Sequence, residues 1–437
     1  MDEIVSWLNC CLPLLSLAML AYMTLPIMPC VRRVLKKDDE KNKREKRQIY
    51  KICFTGGPCA GKTTSMTYIQ QRVLEMDMNV CIVPEAATYL MTSGAIINMT
   101  SWGDSEVVDF QINLMMLQMA LEGAFVDLCK MMPKSSLIMC DRGLMDGKAY
   151  MKEELWQIML AEIGWNDVWL RDSGYDAVIH LVTAANGAKD HYGFGNVARY
   201  EDVKTAIERD NALMWAWTGH PHLFIINNTD VTSFEQKVQK CLSQVLMFIG
   251  QDIPFQYFKK FLVTVKSPLE QSFRCTVVEV TDTFLVTKDR DMLDRVQKRG
   301  LQTSYVYMRL IEKRDEQQKK MRIQQFPISC SEYFELCAQC IDQHRRPIVR
   351  KRVCFLYHHD QMVLETLYLD KGREITLLRI ETTKQAGDIK FPKNIVALRD
   401  VTDDPGFASH IIAKKGWVLD PVDQKSPAAV DPSKKKD

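Results

Sequence analysis

Gly56, Gly61, Lys62 and Thr63 stand in the order G-x-x-x-x-G-K-[ST] within the stretch KICFTGGPCAGKTT. That spacing suits one chemistry. Glycines let successive backbone N–H groups turn toward a polyphosphate, the lysine adds a point charge, and a hydroxyl ligates Mg²⁺. The run Gly56, Gly57, Pro58, Cys59, Ala60, Gly61, Lys62, Thr63 and Thr64 is therefore read as a phosphate cradle, with GTP or ATP as ligand and Mg²⁺ as the metal on Thr63. Asp141 ends the apolar run LIMCD, where a carboxylate holds Mg²⁺ directly or through water, or serves as base toward a hydroxyl acceptor. The plainer alternative is a strand that happens to end in Asp at a turn. Arg142, next in sequence, is placed to contact a phosphate.

Three further features gather around this cradle. Glu85, in VPEA, follows a second apolar run and would bind an acceptor or the metal, or else be a solvated loop carboxylate. Residues 185–196 (ANGAKDHYGFGN) form a glycine-rich candidate lid followed by Arg199, which would close over the phosphates. Few other basic residues accompany it, which counts against vigorous phosphoryl transfer. Asn227-Asn228-Thr229-Asp230 stands where GTPases carry N-K-x-D for guanine, but the lysine is replaced by Asn228, and a turn explains Asp230 at least as well.

These residues need elements to hold them. Short, continuously apolar runs at 49–54, 80–83, 137–140, 177–182 and 223–227 read as strands buried on both faces, separated by helical stretches such as 105–132 and 200–217. That alternation predicts an α/β domain over 49–250, a parallel sheet with helices on both faces and the glycine loop between its first strand and helix. Beyond a boundary at GQDIP the texture changes to alternating runs at 273–287, 303–313, 320–326, 349–357, 362–369 and 374–383, with one helix at 331–345. This predicts an α+β domain over 255–420 built on an antiparallel sheet or barrel, then a polar, disordered tail at 421–437.

The chain of 437 residues is long enough for two or three cores. Its net charge of +2 gives no reason to expect nucleic acid as a partner. Fourteen irregularly spaced cysteines do not make a secreted disulfide framework. Residues 1–31 hold an uncharged run from 4 to 31. As a helix over 4–25 it would extend roughly 33 Å, enough to cross a bilayer. Arg32, Arg33, Lys36 and Lys37 follow it, so a single N-terminal span with the bulk of the chain cytoplasmic is expected, and residues 32–48 form a charged linker. With Pro13 inside the run, an interfacial or buried hairpin is the alternative, and the protein would then be cytoplasmic.

The motifs GGPCAGKTT, VPEAAT, CDRG and RYED together resemble the NadR-like P-loop domain of the TRPL translocation defect protein family. The second half resembles a CYTH-like antiparallel barrel, and the tandem is that family's arrangement. The resemblance covers roughly residues 49–420. It implies nucleotide binding with GTP favoured, phosphoinositide binding and a role in membrane-protein trafficking. The alternative function is a small-molecule kinase acting on a nucleoside or riboside, with Asp141 as base, Lys62 and Arg199 stabilising the transferring phosphoryl group and Glu85 positioning the acceptor. The second half departs from the tunnel enzymes. Residues 260–266 (KFLVTVK) lack the alternating glutamates that hold metal and triphosphate, which puts triphosphate hydrolysis in doubt. What remains is basic. Arg350 and Arg352, two apart, share a strand face, and Arg309, Arg322 and Arg379 come from other strands. If those faces converge they make an anionic-ligand pocket, and otherwise they are outer-face charges. Cys337, Cys340 and His344 fall on one helical face and are read as core-facing rather than as a zinc site.

Overall fold

The computed structural model describes residues 48–97, 101–187, 203–250, 258–289, 291–314, 321–382, 384 and 386–419, and leaves the side chains of residues 314, 321–323 and 371 undescribed. The expected membrane span, nearly all of the charged linker, Arg199 with most of its lid, and the tail lie outside the described residues.

The first sheet has five parallel strands, β1 (Ile49–Thr55), β2 (Asn79–Val83), β3 (Ser136–Asp141), β4 (Ala177–Leu181) and β5 (Leu223–Ile226), in the order β2-β3-β1-β4-β5. The central strands are mostly apolar because both faces are covered, with Lys51 on β1 and His180 on β4 as the charged or polar exceptions inside them. One face packs into a core with Trp156, Met159 and Trp217, the other into a core with Met66, Ile69, Cys241 and Val245. The covering helices are α1 (Lys62–Leu74), α2 (Ala86–Thr92), α3 (Asp104–Met131), α4 (Glu153–Ile163), α5 (Asp167–Asp172), α6 (Val203–Trp217) and α7 (Phe234–Phe248). Among the described residues α3 alone is long and apolar enough to cross a membrane. Its buried positions, Val108, Gln111, Met115, Gln118, Glu122 and Cys129, recur at helical spacing, and Glu122 accepts from Lys51 on β1 at 2.9 Å and from the Tyr175 hydroxyl at 2.7 Å.

The second sheet is antiparallel, with nine strands: β6 (Phe258–Val265), β7 (Thr276–Leu285), β8 (Met292–Leu301), β9 (Ser304–Arg314), β10 (Met321–Pro327), β11 (Ile348–Tyr357), β12 (Asp360–Tyr368), β13 (Glu374–Glu381) and β14 (Ile395–Asp400). The order is β10-β9-β8-β7-β11-β12-β13-β6-β14, with α8 (Cys330–Gln339) laid on Leu285 and Val296 through Tyr333. No ladder joins β10 to β14 among the described residues, so closure into a barrel is not part of the observed pairing. A short helix α9 (Ser409–Ile412) and the segment around Phe407 plug one end of the inner face through Leu262, Phe284, Leu367 and Leu377. Strands β6, β8 and β14 have no counterpart among the alternating runs expected from sequence, and α8 ends at Gln339, six residues short of expectation.

The two sheets are pinned together by a buried charge cluster. Asp172, at the end of α5, pairs with Arg171 at 2.7 Å and with Arg299 of β8 at 2.7 Å, and Arg299 also donates to the Gly219 carbonyl. The Gly219 N–H donates to Gln361 of β12 at 3.2 Å. Burial works against the Asp172 charge, but Arg171 and Arg299 outweigh it and hold the carboxyl well below its usual range.

Candidate nucleotide site

The loop between β1 and α1 is shaped by backbone geometry that only small residues tolerate. Gly56 has φ +141°, and a Cβ there would lie 2.1 Å from the Leu181 carbonyl oxygen. Gly61 has φ +87° and caps α1, while Cys59 takes the left-handed region at φ 55°. The Lys62 ammonium donates to the Gly56 carbonyl at 3.2 Å, so its side chain folds back across the loop mouth. Burial, then the neighbouring Arg142, lower that ammonium to about 8. Thr63 and Thr64 are exposed at the start of α1, with the Thr63 hydroxyl at the position where a metal ligand is expected.

Asp141 ends β3 beside Phe54 of β1, the strand that leads into the loop. Its Oδ1 is buried and has no hydrogen-bond partner among the described residues. Burial raises its pKa, Lys62 pulls it down, and Glu85 raises it again. An orphaned carboxylate oxygen facing a lysine beside an exposed threonine fits Mg²⁺, which is typically held by one or two protein oxygens plus substrate phosphates. The described residues contain no cluster of three or more His, Cys, Asp or Glu that would make an all-protein metal cage.

Arg142 does more than the sequence indicated. It sits in the left-handed region at φ 74° and donates to the Gly56 carbonyl at 2.9 Å and to Glu85 Oε1 at 3.2 Å, while pairing with Asp146 at 3.4 Å. Burial opposes its charge, but Tyr150, Asp146, Glu85 and Asp141 hold it fully protonated. Glu85 is therefore a half-exposed carboxylate that is already ion-paired. Arg142 and the Thr88 hydroxyl occupy it, and against the cost of burial they lower its pKa.

Sequence reasoning missed a supporting layer beneath the loop. Asp146 takes the Thr55 hydroxyl on both oxygens, at 2.9 and 2.8 Å, and the Trp217 indole N–H. Asp210 on α6 accepts the Gly57 N–H at 2.6 Å and meets His180 Nε2 at 3.0 Å, and the Thr183 hydroxyl donates to the Pro58 carbonyl. Asp146 lay within reach of a sequence argument, five residues past Asp141. Asp210, 153 residues from Gly57, had no local signal.

On the side of β4 and β5, the Asn227–Asp230 segment is a self-bonded turn. Asn227 Oδ1 accepts the N–H groups of Thr229 and Asp230, and its Nδ2 donates to Asp230 Oδ2 at 2.9 Å. Asn228 Nδ2 donates to the carbonyls of Thr183 at 2.8 Å and Asn186 at 2.6 Å. The turn reading of Asp230 is the one observed. Lys384, just past β13, stands 3.6 Å from Asp230 and 2.7 Å from Asp360. A cleft of about 330 Å³, lined by Thr229, His358, His359, Asp360, Lys384 and Lys390, opens there between the sheets.

The arginines of the second sheet divide. Cross-strand register puts Arg350, Arg352 and Arg379 on one face with Lys260, Asp282 and Glu365. Arg309 pairs with Val296 on the opposite face and binds Asp294. Arg322 is registered against Lys313, two residues from Asp294's neighbour on that same opposite face, and its side chain lies outside the description. Five expected pocket residues thus become three, because side chains alternate across a strand and Arg309 has the wrong parity. The three are ion-paired: Arg350 with Asp282, Arg352 with Glu365 at 2.6 Å, Arg379 with Glu381 at 2.7 Å. Lys260 among them is lowered to about 8 by burial. Cys337 lies on α8, Cys340 caps it and His344 falls beyond it, so the expected common helical face does not form.

A family profile described as an AAA domain matches residues 51–237, less than half of the chain. No curated protein matches it significantly. Among solved structures, the hypothetical protein NE1496 is similar at 16% identity and a TM-score of 0.28, covering 36% of this chain and 95% of that one. A second structure, described as the inorganic triphosphatase NE1496, gives 16% identity and 0.27, covering 36% and 97%. The PH1819 protein from Pyrococcus horikoshii OT3 gives 13% and 0.22, covering 30% and 80%. At such identities and TM-scores no residue role is transferred from them.

Proposed function

We propose that this protein binds a nucleoside triphosphate with Mg²⁺ in the β1–α1 loop and uses the bound state to regulate rather than to phosphorylate a small acceptor. The observation that carries the reading is the orphaned, buried Asp141 oxygen at the end of the strand beside the glycine loop, within the electrostatic reach of Lys62. Glu85 and Arg142 neutralise each other, which removes the carboxylate a kinase would use to position an acceptor. The buried Asp172–Arg299 link gives the nucleotide domain a rigid hold on the second sheet. The AAA-domain match over the same stretch supports nucleotide binding.

Finer proposals ride on this one. GTP is preferred to ATP. The face carrying Arg350, Arg352 and Arg379 takes an acidic ligand such as a phosphoinositide headgroup, and the N-terminal segment anchors the chain to a membrane in a trafficking role. Turnover assays with ATP and GTP, with and without nucleoside and riboside acceptors, test the main reading. Binding with slow, acceptor-independent turnover is expected. Acceptor-dependent turnover abolished by Asp141→Asn would establish the kinase instead. Parallel titrations rank the two nucleotides. Vesicles containing phosphoinositide should lose binding on Arg350→Ala with Arg352→Ala. Carbonate extraction that releases the chain from membranes would remove the anchor.

A further inference from the structure

The sheet order dictates which way a nucleotide must lie. β1 is central, β3 with Asp141 is on one side, and β4 and β5 are on the other. The metal and terminal phosphates belong at Asp141, so the phosphate chain runs across the loop and the nucleoside emerges toward the ends of β4 and β5. On that side the rim is fixed in place. Asn228 ties the loop after β5 to the Thr183 and Asn186 carbonyls after β4, and accepts from the Lys237 ammonium at 2.8 Å. Gly187, at φ +90°, packs so closely that a Cβ there would lie 3.2 Å from the Asn228 Cβ.

One side chain on this rim belongs to neither core of the first sheet. Phe234, the first residue of α7, is 46% exposed although its ring covers Gly61, the residue that opens α1. A Cβ on Gly61 would lie 2.4 Å from Phe234 Cε2 and 2.7 Å from Cζ. The hydrophobic cores flanking the first sheet do not include Phe234. An aromatic face left in solvent against a phosphate loop, on the side where the nucleoside leaves, is the geometry of a stacking surface.

We propose that Phe234 is the platform on which the base of the bound nucleotide stacks. The proposal rests on the nucleotide-binding reading above and adds a contact that the glycine-lysine motif does not contain. Stacking on a π-face discriminates little between bases, so ATP and GTP should both use it. The ring supplies nothing to the phosphates, which separates its contribution from that of Lys62 and the loop N–H groups.

Titration of the full chain with MgATP, MgGTP and inorganic tripolyphosphate, in wild type, Phe234→Ala and Phe234→Tyr, tests this. The alanine variant should weaken both nucleotides by about tenfold or more, the scale of base–aromatic stacking, and leave tripolyphosphate within about twofold. The tyrosine variant should restore nucleotide affinity. Equal losses for nucleotide and tripolyphosphate in Phe234→Ala would show that the ring only shapes the loop, and an unchanged nucleotide affinity would show that the base lies elsewhere. Either result overturns the proposal and leaves the cradle intact. Wild-type protein that binds neither nucleotide nor tripolyphosphate would refute the cradle itself.

Discussion

Raising the pH from 7 to 9 should weaken nucleotide binding through a single ammonium. Lys62 is lowered to about 8 by burial and by Arg142, against the pull of Asp141, Glu85 and Asp146. A bound triphosphate needs the charged form. With a pKa near 8, roughly 90% of the free protein carries that charge at pH 7 and roughly 10% at pH 9, so the apparent affinity falls about tenfold across the interval. The nucleotide adds no slope of its own there, since a phosphate's last ionisation lies near ~6. Calorimetric titration of MgATP at pH 7, 8 and 9, at constant ionic strength and in buffers of different ionisation enthalpy, reads both the affinity and the proton uptake. Uptake should be about half a proton at pH 8. Lys237, also lowered to about 8 and bonded to the rim at Asn228, is the competing source. Lys237→Met should keep the slope. A flat wild-type affinity, or a slope that vanishes in Lys237→Met, would refute the assignment to Lys62.

Other consequences are quick to check. Asp172→Ala leaves Arg171 and Arg299 buried without their carboxylate and should cost about 3–5 kcal/mol in a denaturant titration, as for other broken buried pairs. Removing Lys134 from its exposed contact with Asp77 should change stability by under ~1 kcal/mol. Because the Asp172 pKa is depressed in the folded state, its stabilisation is present above the ordinary carboxylate range and is lost only as pH falls toward the depressed value. Acid unfolding of Asp172→Asn should lack that component. Gly56→Ala, which sets a Cβ 2.1 Å from the Leu181 carbonyl at φ +141°, should lower both the thermal midpoint and nucleotide affinity, whereas Gly123→Ala, with open space around it, should not lower the midpoint.

The parallel sheet was legible because burial on both faces turns each strand into a continuous apolar run. All five were placed within a residue or so of their observed limits. β8 hid because both of its faces carry polar residues. Arg295, Gln297 and Arg299 point toward one set of carboxylates while Asp294 faces Arg309 on the other, so no alternation shows. The glycine loop was legible as a local motif, and Asp141 as the end of a neighbouring strand. The braces were not: Asp210, His180 and Thr183 reach Gly57 and Pro58 only through the tertiary fold. Glu85 and Arg142 both drew notice in the sequence, but their mutual pairing cannot be read from residues 57 apart.

The central claim is that phosphates seat between Gly56 and Thr63 against Lys62. Equilibrium titration of the full chain with Mg²⁺–nucleotide at pH 7, wild type beside Lys62→Met, tests it most directly. One site per chain is predicted, with at least roughly tenfold weaker binding in the variant, the loss expected for a charge-assisted contact to phosphate. Equal affinity in the two proteins would contradict the account.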